Sequence, residues 1–195
     1  MLPIRNAIRT LIVVGTMIAC SSEEQETIIT DIYGVYIDPA MSDKEVNSFN
    51  QALIAWETML DGKLIISSIE FAKCPESNYN RICAISTTAA DINAKGVNPE
   101  EVGYTAWNVA EGKGNIYIPS DKDADMSMEE MTLIMAHELG HAMGLEHTQT
   151  GTVMCYTTAC AAGLPTCDDE AQWSWVHHKE ENLNCPNGGE FYYQN

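Results

Sequence analysis

Residues 135–147 read Met135-Ala136-His137-Glu138-Leu139-Gly140-His141-Ala142-Met143-Gly144-Leu145-Glu146-His147. His137 and His141 stand four apart, one turn of helix, so both imidazoles lie on one face and can share a single ion. Gly144 leaves helical geometry at little cost, which lets the chain turn and bring His147 back to the same point. Three neutral imidazole nitrogens leave a fourth position for water, the arrangement a catalytic zinc site requires. Glu138, beside the first histidine, can reach that water as a general base. Met131, Met135, Leu139 and Ala142 form an apolar stripe on another side of the helix. The helix can therefore bury one face on a sheet while its polar face looks into a cleft. In a chain of this composition the HExxH pattern alone arises by chance roughly once in a hundred sequences. The added glycine and third histidine lower that to roughly once in tens of thousands. A purely structural zinc site fits less well, because such sites are normally closed by a fourth protein ligand.

Upstream, Ser127 and Glu130 form a capping box that opens this helix, which runs to about Gly144. A second capping box, Ser42 with Glu45, opens an earlier helix. There Val46, Phe49, Leu53, Trp56 and Leu60 recur at spacings of three and four, and Asp61-Gly62 ends it. Residues 31–38, 63–71, 83–88, 103–108 and 114–119 read as strands, and 89–101 as a loop. Thr166 and Asp169 open a last short helix through Trp173 and Trp175. One helical crossover followed by consecutive strands predicts a mixed sheet with helices packed against it. Tyr104 and Trp107 either line the cleft or are alternate-face residues of their strand. Asp121, Asp123 and Asp125 alternate like the start of a calcium loop, but Met126 and Thr132 stand where that loop needs Gly and Glu.

The segment HELGHAMGLEH resembles the zinc signature of the metzincin metalloproteases, H-E-x-x-H-x-x-G-x-x-H. Gly151-Thr152-Val153-Met154-Cys155-Tyr156 resembles the Met-turn that follows it in that family. Leu164-Pro165-Thr166-Cys167-Asp168-Asp169-Glu170 resembles the start of the C-terminal helix of the matrixin branch, and residues 103–107 and 114–118 its edge strand and the strand beside it. The resemblance implies an α+β fold: a mixed, twisted five-stranded sheet with an active-site helix and a C-terminal helix. It implies one catalytic Zn2+ held by His137, His141 and His147, with Glu138 as catalytic base and Met154 as an apolar floor beneath the metal. It also implies protein or peptide substrates that add in extended form to the edge strand near residues 103–108. Tyr156 has two readings. It packs in the wall after the Met-turn, or, as at this offset in the astacin and serralysin branches, it stabilises the oxyanion of the tetrahedral intermediate. A structural Ca2+ site outside the failed Asp loop is left open.

The first 20 residues have the three parts of an export signal. Arg5 and Arg9 are the basic region, residues 11–19 (LIVVGTMIA) the apolar region, and Met17-Ile18-Ala19-Cys20 resembles a bacterial lipobox. The expected organisation is a lipoprotein signal peptide over 1–19, a lipidated tether over 20–27 beginning at Cys20, and one domain over 28–195. The domain is expected to be monomeric, exported, and held to the outer membrane or cell surface only through its lipid. The chain has seven cysteines, and setting Cys20 aside leaves six. In an exported chain these suggest three disulfides. Cys74 and Cys83 flank one polar loop and are expected to pair; the pairing of Cys155, Cys160, Cys167 and Cys185 stays open.

Charge narrows the functions further. The 195 residues carry 28 acids against 10 Lys and Arg, a net charge of -18. Such a surface repels phosphate backbones and argues against nucleic-acid binding. Hydrophobic residues make up 45%, enough for a packed core. The competing function is a surface binding or adhesion lipoprotein that keeps the fold without turnover.

Overall fold

A computed structural model describes residues 31–76, 79–97, 102–122, 125–148, 152–155, 163–170 and 173. Strand β1 spans Asp31–Ile37, helix α1 Asp43–Leu60, β2 Leu64–Phe71 and β3 Arg81–Thr87. A short helix α2 covers Ala89–Asn93, followed by β4, Tyr104–Asn108, β5, Lys113–Pro119, and helix α3, Met128–Ala142. The five strands form one sheet in the order β2-β1-β3-β5-β4. All neighbours run parallel except β4, which is antiparallel to β5. This is the mixed α+β sheet that the sequence predicts.

Alternation along the strands builds the core. Tyr33, Val35 and Ile37 of β1 and Ile116 and Ile118 of β5 face the helices and are buried. α1 answers with Phe49, Ala52, Leu53, Trp56 and Leu60, the stripe legible in its sequence. The Trp56 indole N–H donates to the Ala136 carbonyl of α3 at 2.9 Å, so the two helices are pinned together at the centre of the core. Gly114 lets the end of α3 press onto β5: a Cβ there would overlap Ala142.

Strand ends agree with the sequence reading within one or two residues, and two differences stand out. Residues 89–93 form α2 where a loop was expected. Its N-cap Thr88 accepts from the Asp91 N–H, and five residues are too few to show a helical period. β3 begins at Arg81, two residues before Cys83, because Arg81 pairs with Lys113. On the sheet face away from the helices, Cys74 is bonded to Cys83 with a Cα–Cα distance of 5.6 Å. The buried Arg81 lies against that bridge, its Nη1 2.8 Å from Cys74 Sγ and 2.7 Å from Asn115 Oδ1. Cys155 and Cys167 each take part in a disulfide. Among the described residues no helix is long and apolar enough to cross a membrane.

Candidate metal centre

α3 carries His137, Glu138 and His141, and its ending supplies the third histidine. The Gly144 N–H donates to the His141 carbonyl at 2.9 Å and the Leu145 N–H to the Gly140 carbonyl at 3.0 Å. Gly144 sits at φ 88, a left-handed conformation that a side chain would strain. This is a Schellman stop, and it reverses the chain within three residues of His147. The Nε2 atoms of His137 and His141 each lie 3.1 Å from His147 Nε2. Among the described residues this is the one group of three or more His, Cys, Asp or Glu side chains that converges. No acidic cluster suited to Ca2+ accompanies it there.

The other ring nitrogens decide what this convergence can do. His137 Nδ1 lies 2.8 Å from the Val153 carbonyl, and His141 Nδ1 2.7 Å from the Leu145 carbonyl. A carbonyl only accepts, so each Nδ1 carries the proton and each Nε2 presents a lone pair. Lone pairs aimed at one another repel unless a cation lies between them. Zinc–nitrogen bonds of ~2.0–2.1 Å in a tetrahedral site place ligand nitrogens about 3.3 Å apart, close to the observed separations. Burial, with the neighbouring His137, lowers the pKa of His141 to about 3, and the same causes lower that of His147. Both rings are thus neutral and able to bind metal at physiological pH.

The segment after the third histidine braces the first one. The Thr148 N–H donates to the Met154 carbonyl at 2.8 Å, and Thr148 pairs with Cys155 in an isolated bridge. Met154 is fully buried, its sulfur against Gly140, where a Cβ would overlap it. Asp169, also fully buried, holds the loop from behind. It accepts from the Val153 and Met154 N–H groups at 3.2 and 3.4 Å and from the Thr166 N–H and hydroxyl at 2.8 and 3.0 Å. Burial pushes its carboxyl above the usual range, against the pull of those bonds. The chain of contacts runs from Asp169 through Val153 to the His137 ring. Sequence reading placed Asp169 only as a helix opener; its link to the histidine spans the fold.

β4 supplies the remaining wall. Alternation sends Thr105 and Trp107 toward α3. The Thr105 hydroxyl donates to Glu138 Oε2 at 2.5 Å. The Trp107 ring stacks on His141 at 5.4 Å with 11° between planes, while the residue stays 44% exposed. Tyr104 instead stacks on Tyr117 at 5.9 Å, across the β4–β5 pair. So of the two aromatic residues offered by the sequence, Trp107 lies at the centre and Tyr104 does not. Thr105 and Gly103 carried no motif that could have singled them out. Cys20, Tyr156, Cys160 and Cys185 lie outside the described residues.

Three imidazoles converging from a helix and its reversal, beside a buried glutamate and an edge strand, define the class of a metal-dependent hydrolase. Residues 32–176 match the model of the matrixin peptidase family, and the chain belongs to that family. Membership implies zinc, which the three-nitrogen donor set fits. Among solved structures, the chain is similar to metalloproteinase-II from Bacteroides fragilis, at 12% identity and a TM-score of 0.45. It is also similar to archaemetzincin from Methanopyrus kandleri, at 14% identity and a TM-score of 0.42. The first alignment covers 75% of this chain and 53% of the Bacteroides protein; the second covers 68% and 84%. The chain thus spans about half the length of the Bacteroides structure. A sequence search of curated proteins finds no match.

Proposed function

We propose that this protein is a zinc-dependent endopeptidase that hydrolyses peptide bonds with Glu138 as general base. The observation that carries the reading is the convergence of three imidazole nitrogens, with the Nδ1 protons of His137 and His141 held by carbonyls so that both Nε2 lone pairs face the place an ion would take. Bound zinc supplies Lewis acidity, polarising a peptide carbonyl and making a water acidic enough to ionise near neutral pH. His137, His141 and His147 would hold the ion. Glu138 takes a proton from the attacking water and passes it to the departing amine. β4 is an edge strand with no further strand beside it among the described residues, so an extended peptide can pair along it and gain affinity from backbone hydrogen bonds. The protein should hydrolyse casein, chelator should abolish the activity, and zinc should restore it. Glu138→Gln should keep zinc and fold but lower kcat ~10²–10⁴-fold. Near-wild-type turnover in that variant would remove Glu138 from the mechanism. Casein left intact while one natural partner is cut would narrow the substrate, and no hydrolysis of either would favour the binding-lipoprotein reading.

The lipobox supports a further placement, with Cys20 lipidated and the domain held at a membrane surface. Two or more acyl chains anchor stably where one is marginal. Cys20→Ser should release the protein from the membrane fraction, and continued sedimentation with membranes would refute the anchor.

A further inference from the structure

The buried carboxylate of Glu138 lies between Thr105 of the edge strand and Gly103, the residue before that strand. Thr105 is 3% exposed, and its hydroxyl has two acceptors in reach, the Glu138 carbonyl at 3.1 Å and Glu138 Oε2 at 2.5 Å. A hydroxyl carries one proton, and the nearer oxygen, Glu138 Oε2, takes it in the shorter bond. On the other side, a Cβ at Gly103 would stand 2.8 Å from Glu138 Oε1 and 2.9 Å from its Cγ. Real Cβ contacts are not that close, so the carboxylate occupies this place because residue 103 has no side chain. A base displaced by an ångström loses much of its effect.

We infer that Thr105 is a positioning residue for the general base, and that Gly103 provides the space into which Thr105 draws it. This deepens the proposed mechanism and rests on Glu138 being the base. It also joins two tasks in one strand. β4, on whose edge an extended substrate would pair, carries the residue that aims the carboxylate, with Gly103 directly before the strand.

The test uses the full zinc-loaded protein and one peptide substrate. Thr105→Val removes the hydroxyl at nearly constant shape. Its kcat should fall ~10–100-fold, the range expected for a lost hydrogen bond to a charged group. KM, zinc content and melting temperature should stay near wild type. Thr105→Ser should recover most of kcat. In the Glu138→Gln background, Thr105→Val should add no further loss to the residual rate. A readout free of activity is the zinc-free crystal structure of Thr105→Val, in which the carboxylate should leave its place beside residue 105. Gly103→Ala approaches from the other side. With Thr105 intact it should lower kcat comparably, which keeps the inference testable if Thr105→Val folds poorly. The inference is overturned if Thr105→Val stays within twofold of wild type, if Ser fails to rescue, if the loss persists undiminished in Glu138→Gln, or if Gly103→Ala is silent. Full turnover by Glu138→Gln alone would overturn the base assignment; an inactive Glu138→Gln beside an unaffected Thr105→Val would overturn only the positioning role.

Discussion

α1 and α3 begin with the same device and bury different things. In each, a serine N-cap and a glutamate three residues on exchange hydrogen bonds with the backbone, Ser42 with Glu45 and Ser127 with Glu130. α1 then buries an apolar stripe and leaves its other face to solvent. α3 is buried nearly all round, and among its buried residues are Thr132, Glu138 and His141. Burying polar side chains is costly unless each finds a partner. In α1 the buried Glu45 is explained by its own helix end, where its carboxylate accepts from the Ser42 N–H at 2.6 Å. In α3, Glu138 and His141 sit mid-helix and at the last turn, and their partners come from β4 and from the loop beyond Gly144. The contrast separates a helix whose polar groups serve its own folding from one whose polar groups serve a site.

Predictions that strain this contrast begin with the largest effect. His147→Ala should abolish stoichiometric zinc binding, from one ion per chain to a small fraction by metal analysis. It should also remove the stabilisation that zinc gives the folded state by mass action. Wild-type protein purified without chelator and lacking zinc would break the comparison at its root.

Trp56→Ala acts on the other helix and should destabilise by ~3–5 kcal/mol through the cavity and the lost bond to Ala136, read by denaturant unfolding. Below its unfolding transition the variant should still bind one zinc. A cost under about 1 kcal/mol would show that the core relaxes around the gap, against the close packing of Trp56 with α3.

A smaller effect comes from protons. His141 in the zinc-free protein has its pKa lowered to about 3, chiefly by burial. A depressed folded-state pKa means the unfolded chain binds the proton more readily. The stability is therefore present above the ordinary histidine range and is lost as pH falls from about 6.5 toward 3. The loss should reach about 2 kcal/mol at pH 5. His141→Asn should flatten this slope in zinc-free unfolding experiments, and a slope unchanged by the substitution would assign the acid sensitivity elsewhere.

The sequence alone determined what depends on neighbours along the chain. Histidines four apart share a helix face, and Gly144 suffices to return His147, so the convergence of the three rings is a matter of local geometry. The two capping boxes, the stripe of α1 and the Cys74–Cys83 bridge across a short loop are local in the same sense. Five-residue α2 escaped because it is too short for a helical period to repeat. Only the tertiary structure decided what crosses long separations. The strand order puts β1 between β2 and β3 and leaves β4 at the edge beside α3. That placement brings Thr105 to Glu138 and Trp107 to His141, and the placement of the segment around Thr166 brings Asp169 to the loop that holds His137. Close approach at Gly103, Gly114 and Gly140 belongs to the same class, since a glycine's lack of a side chain matters only once another element is pressed against it. Hydrophobic periodicity says that a face is buried but not against what, because burial of apolar surface is non-directional. The directional contacts that complete the site form only after the sheet and α3 have met.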